Sequence, residues 1–84
     1  LWNLTKTLAI ELAPHIRVNG VAPGAILWPE GLNAPTEAKK QLLIEQIPLH
    51  RTGEPKEIAE TILFLENNAY ITGQIIVVDG GKNL

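Results

Sequence analysis

The sequence predicts an α/β fold of two parallel strands and about three helices, set within a larger sheet. Three observations lead there. An amphipathic helical pattern over residues 1–13 runs almost directly into an apolar, strand-like stretch at residues 16–22. A second short apolar run, residues 74–78, follows two further helical patterns, so the strands are joined by a helical crossover and should lie parallel. Both runs stop at turn-forming residues, Pro23-Gly24 and Asp79-Gly80-Gly81. Parallel strands are normally covered on both faces, and two strands with three helices cannot supply that cover alone.

In the first helix Leu1, Leu4, Leu8 and Leu12 recur at helical spacing beside Trp2, Thr5 and Ala9, with Asn3, Lys6 and Glu11 on the other side. Pro14 ends it, because proline disfavours helical geometry in the residue before it and cannot donate to the ladder. Residues 27–34 carry Pro29, Gly31 and Asn33 and read as a loop. Thr36 is placed to cap a helix reaching about residue 46. Its apolar stripe (Ala38, Leu42, Leu43, Ile47) is narrow, as suits a mobile flap. After a connector at residues 48–53, Pro55 opens another helix at the first helical position, where a missing N–H costs nothing. Ile58, Ala59, Ile62, Leu63 and Leu65 form its expected buried side, and Asn67-Asn68 closes it.

The 84 residues are 45% hydrophobic and 19% charged, ordinary for one globular domain and too few for two. A net charge of −2 without a basic run argues against nucleic acid as a partner. No apolar stretch approaches the roughly 18 residues of a membrane span. The lack of cysteine removes disulfides and thiol chemistry and fits a reducing, cytoplasmic location. The chain opens on Leu1 as if a helix were already under way, without a cap or a signal-peptide pattern. The expectation is the tail of a longer polypeptide.

Four blocks carry a resemblance. They are Leu4-Thr5-Lys6-Thr7-Leu8-Ala9-Ile10-Glu11-Leu12-Ala13, Ile16-Arg17-Val18-Asn19-Gly20-Val21-Ala22-Pro23-Gly24, Gly53-Glu54-Pro55-Lys56-Glu57-Ile58-Ala59, and Tyr70-Ile71-Thr72-Gly73-Gln74-Ile75-Ile76-Val77-Val78-Asp79-Gly80-Gly81. In this order and spacing they resemble the C-terminal third of short-chain dehydrogenase/reductases, collinear over essentially all of residues 1–84. Ala25-Ile26-Leu27-Trp28-Pro29-Glu30 resembles the pteridine reductase branch. The resemblance implies the C-terminal portion of a Rossmann-like, doubly wound parallel sheet, an NADP cofactor and hydride transfer to a pterin ring. It also implies that the Gly-rich dinucleotide motif and the catalytic Tyr-x-x-x-Lys pair lie upstream, so no catalytic residue is expected here. Tyr70 is not that tyrosine, since Gln74 stands where the spacing needs lysine.

In open α/β sheets ligands bind at the carboxyl edge of the strands, which directs attention to the Pro23-Gly24 turn. Pro23, Gly24, Ala25 and Ile26 are the candidate cofactor-binding residues, their backbone reaching the nicotinamide end and diphosphate; the alternative is a plain strand-to-loop turn. Leu27, Trp28, Pro29 and Leu32 are the candidate substrate wall, because apolar and aromatic surface suits a flat heteroaromatic ring. Otherwise Trp28 is a core anchor or an oligomer contact. Many family members have threonine at the Trp28 position, with a hydroxyl that helps bind the cofactor. His15 and His50 lack the partners of a metal site. His50-Arg51 reads as a solvated connector rather than a phosphate contact. Asn19 reads as a satisfied structural polar group, and Asp79-Gly80-Gly81 as a strand-terminating turn.

The resulting expectation is an NADP-dependent short-chain reductase acting on a pterin or folate, represented by a segment that is inactive alone. The resemblance implies that the helix of residues 1–12, and the strand of residues 74–78 with its preceding helix, form the interfaces of a 222-symmetric homotetramer; the alternative is burial within the subunit only. One alternative is another substrate in the same family, such as a 3-oxoacyl thioester. Another is a non-catalytic interaction module, should the chain truly begin at Leu1.

Overall fold

A computed structural model describes residues 2–26, 28 and 30–84. Helix α1 spans Trp2–Leu12, strand β1 Gly20–Pro23, helix α2 Glu37–Glu45, helix α3 Pro55–Asn67 and strand β2 Ile75–Val78. A single 3₁₀ turn, Gly31–Asn33, interrupts the loop before α2. β1 and β2 pair in parallel with Gly20 opposite Ile75 and Pro23 opposite Val78. The expected α/β arrangement of two parallel strands and three helices is therefore present.

The first strand is shorter than its apolar run. Residues 16–19 make no ladder with β2; their polar groups go elsewhere. The Val18 N–H donates to Thr72 Oγ1 (3.1 Å), and the Gly73 N–H donates to Val18 O (2.7 Å). The Arg17 guanidinium donates to four carbonyls, those of Leu65 (2.8 Å), Glu66 (2.9 Å), Asn68 (3.0 Å) and Ile71 (3.3 Å). Arginine presents five donors in a rigid fork, and here they meet carbonyls at and just beyond the end of α3. Asn19 acts alongside: its Nδ2 donates to Ile71 O (3.0 Å) and its Oδ1 accepts from the Gln74 N–H (3.1 Å). It is the satisfied structural group expected. Together Arg17 and Asn19 fasten the entry to β1 onto the end of α3 and the start of β2.

The helix ends follow their local chemistry. Thr36 caps α2, its side chain accepting from the Lys39 N–H at 3.2 Å. Pro55 sits in the first turn of α3, and Glu57 Oε1 accepts from the Glu54 N–H at 2.9 Å.

Burial departs from the helical stripes. On α1 the buried residues are Thr5 and Ala9, whereas Leu4 is 58% exposed and Leu12 is exposed as well. On α3 only Leu65 is buried, and Ile62 and Leu63 stand exposed with Phe64. The helical period identifies an apolar face but not what covers it; a two-stranded sheet has room for only one row of each helix. Among the described residues the buried apolar ones are Ala9, Ile47, Leu65 and Ile75. The accessible surface is 6437 Å², against about 4,900 Å² for a folded monomer of 9.2 kDa. The radius of gyration is 15.9 Å, where about 12 Å is usual at this length. Several apolar faces thus meet no partner among the described residues. Among those residues no helix is long and apolar enough to cross a membrane.

Candidate functional site

Because the strands run parallel and in register, both end at one edge. Pro23-Gly24 and Asp79-Gly80 emerge side by side there. The Gly24 N–H donates to Val78 O at 2.8 Å, extending the ladder one residue beyond β1. Gly24 has no room for a side chain: a Cβ would lie 2.7 Å from Asp79 Cβ and 2.8 Å from Asp79 Cα. Its bare side faces the neighbouring turn. Behind Ala25, the connector supplies a second brace. The Gly53 N–H donates to Ala25 O at 3.0 Å, and Ile26 Cδ1 fills the place a Gly53 Cβ would take.

The four cofactor candidates divide. Pro23 and Gly24 are exposed at the edge. Ala25 and Ile26 are half-buried and line a cavity of about 380 Å³ together with Pro48, Arg51, Gly53 and Asp79. Of the substrate candidates, Trp28 and Leu32 line a different cavity of about 440 Å³, with Pro35, Thr36, Lys39 and Leu43. Trp28 is half-buried, with the Lys40 ammonium 5.9 Å from its ring centroid, within range of a cation–π attraction. Leu32 is fully exposed. Leu27 and Pro29 lie outside the described residues.

The charged groups of the first cavity are largely committed. Arg51 makes two bonds to Glu57, Nη1 to Oε1 and Nη2 to Oε2, each 2.9 Å. That pairing holds the Glu57 carboxyl down to about 2, with the Glu54 N–H adding to the effect, and raises the Arg51 guanidinium further. Arg51 is thus an internal brace rather than a free phosphate ligand, in keeping with a connector role for His50-Arg51. Asp79 is engaged too, accepting from the Gly81 N–H (2.9 Å, Oδ1) and the Asn83 N–H (3.2 Å, Oδ2). The turn at residues 23–26 offers backbone and small apolar surface.

His15, His50 and Tyr70 stand on the surface. No three metal-ligating side chains come together among the described residues. What the sequence reading missed is the commitment of Arg17, Arg51 and Asp79. The signal for Arg51–Glu57 was present as a basic residue beside a helix start with glutamate in its first turn. Arg17 gave none, because its partners are backbone carbonyls about 50 residues away.

Comparison with known proteins decides the family. A family model described as enoyl-(acyl carrier protein) reductase matches residues 1–83. A crystal structure of a short chain dehydrogenase from Bacillus anthracis superposes with a TM-score of 0.80 at 37% identity, over 99% of this chain and 33% of that one. The chain belongs to the short-chain dehydrogenase/reductase family. Its two strands and three helices match part of the Rossmann-like fold of that family. The FolM alternative dihydrofolate reductase 1 from Brucella canis, crystallised with NADP, aligns at TM-score 0.82 and 41% identity, covering 96% of this chain and 31% of that one. The 3-oxoacyl-[acyl-carrier-protein] reductase FabG of Thermotoga maritima is 49% identical over 81 residues, 93% of this chain and 32% of its own length. The short-chain dehydrogenase/reductase segment described here spans about a third of the relatives it matches.

Proposed function

We propose that these residues form the C-terminal part of an NADP-dependent short-chain reductase that transfers hydride to a pterin or folate-type ring. The observation that carries the reading is Trp28. It stands four residues beyond Gly24, half-buried, lining a cavity between the 3₁₀ turn and α2. A flat indole a few residues beyond the strand end suits stacking of a heteroaromatic substrate. The likeness to a NADP-complexed dihydrofolate reductase supports the same choice. When bound, reduced nicotinamide supplies the hydride. The proton comes from the family's Tyr-x-x-x-Lys pair, which these residues do not contain. Residues 23–26 form one wall for the nicotinamide end, and Trp28 with Leu32 forms the substrate wall.

The exposed apolar residues of α1 (Trp2, Leu4, Ile10) and of α3 (Ile62, Leu63, Phe64) support assembly of a homotetramer through α1 and through α3 with β2. Sedimentation of the full-length protein as a monomer would contradict this. The function is tested by assaying the full-length protein with NADPH and dihydrobiopterin. Turnover is expected, and none from residues 1–84 alone. A second reading, reduction of a 3-oxoacyl thioester, is favoured by the 49% identity to FabG. Faster turnover of acetoacetyl thioester than of pterin selects it.

A further inference from the structure

The turn that follows β2 touches both halves of the site. On one side Asp79 lies against Gly24, leaving no space for a Cβ between them. On the other side Gly80 receives the root of α2. Ile47, 2% exposed, sits where a Gly80 Cβ would fall, 2.7 Å from Ile47 Cγ2. The Leu49 N–H donates to Gly80 O at 3.1 Å, and Lys82 Nζ donates to Gln46 Oε1, also at 3.1 Å. Gly80 has φ of 66°, a left-handed conformation that glycine adopts without penalty. α2 itself contains no buried residue, so its placement depends on this root.

We infer that Asp79 and Gly80 are positioning residues, Asp79 for the cofactor-facing turn at residues 23–26 and Gly80 for the substrate-side helix α2. The inference rests on the reductase reading above. Asp79 acts through Gly24: its two acceptor bonds to the Gly81 and Asn83 N–H groups fix the carboxylate, and so fix the Cα and Cβ that Gly24 abuts. Gly80 acts through Ile47, a β-branched side chain with little freedom to yield.

The test uses the full-length protein. NADPH affinity is measured by cofactor fluorescence, substrate KM by turnover, and the freedom of α2 by the rate of tryptic cleavage after Lys39 and Lys40 without cofactor. Asp79→Ala should weaken NADPH binding about tenfold, as small misplacements of a binding wall do, with substrate KM and tryptic rate little changed. Asp79→Asn retains one acceptor oxygen and should fall between. Gly80→Ala should speed cleavage at Lys39 and Lys40 severalfold and raise substrate KM. Gly73→Ala is the control: its φ is 77° and its Cβ would make only an ordinary 3.5 Å contact with Ala9. It should lower Tm without moving any of the three readouts. The inference is overturned if Gly80→Ala and Gly73→Ala behave alike, or if Asp79→Ala lowers Tm while NADPH affinity holds. Wild-type protein that binds no NADPH overturns the reductase reading and the Asp79 arm together; the tryptic comparison still decides the Gly80 arm.

Discussion

The strands with α3 and the loop with α2 are held by different means. In the first region buried Leu65 and Ile75, the in-register pairing and the Arg17 and Asn19 bonds join elements far apart in sequence. In the second, α2 buries none of its residues and hangs on its Thr36 cap, the Lys40–Trp28 contact and Ile47 at its root. Long-range bonds make a frame that opens only with global unfolding, whereas a helix on local contacts can move at small cost. The division matches the proposed tasks. Under the proposed function the cofactor would meet the edge of the stiff frame, and the loosely held loop would read the substrate.

The largest effect should come from the frame. Arg17→Met leaves carbonyls at the end of α3 without their donor and should destabilise the full-length protein by about 3 kcal/mol in denaturant titration. A loss below roughly 0.5 kcal/mol would show that water replaces the guanidinium without cost. Next comes Thr36→Ala. Removal of the cap should cost about 1 kcal/mol, seen as faster amide exchange confined to α2. Exchange spreading into β1 or β2 would merge the two regions. Leu42→Ala, at a position 60% exposed on α2, should change stability by less than about 0.5 kcal/mol. A larger loss would mean that α2 is covered by a surface outside these residues.

Acid separates the regions in another way. The Glu57 carboxyl is depressed to about 2 from its ordinary 4.5. A group with a lowered folded-state pKa stabilises above its unfolded value and loses that contribution as pH falls towards the folded one. The Arg51–Glu57 brace should therefore weaken between about pH 4.5 and 2. Arg51 is about half exposed and Glu57 about a third, so solvent screens the pair and the effect should be small and salt-dependent. Glu57→Gln should flatten the acid limb of the stability profile; an unchanged limb would remove the brace from the account.

Much of the frame was legible in the sequence. Pro14, Thr36 and Pro55 mark helix ends through backbone chemistry that acts locally, and the structure follows them to within a residue or two. The parallel pairing followed from a helical crossover between two apolar runs. What periodicity cannot read is the partner of a face. Leu4 and Ile62 carry the expected stripes yet stand exposed, while Thr5 and Ala9 lie buried. The strand expected from residue 16 begins at Gly20, because the preceding backbone groups bond to residues 72 and 73. At the site, the Pro23-Gly24 edge was visible as a strand end. The contact between Gly24 and Asp79 was not, since it joins two turns 55 residues apart.

The most direct test of the division between frame and loop is Trp28→Ala in the full-length protein, with pterin KM and the NADPH dissociation constant measured side by side. Loss of the indole wall should raise pterin KM about tenfold, the loss expected when a stacked ring loses its aromatic partner, and leave NADPH binding unchanged. An NADPH constant that rises in step with the pterin KM, or a pterin KM that does not move, would contradict it.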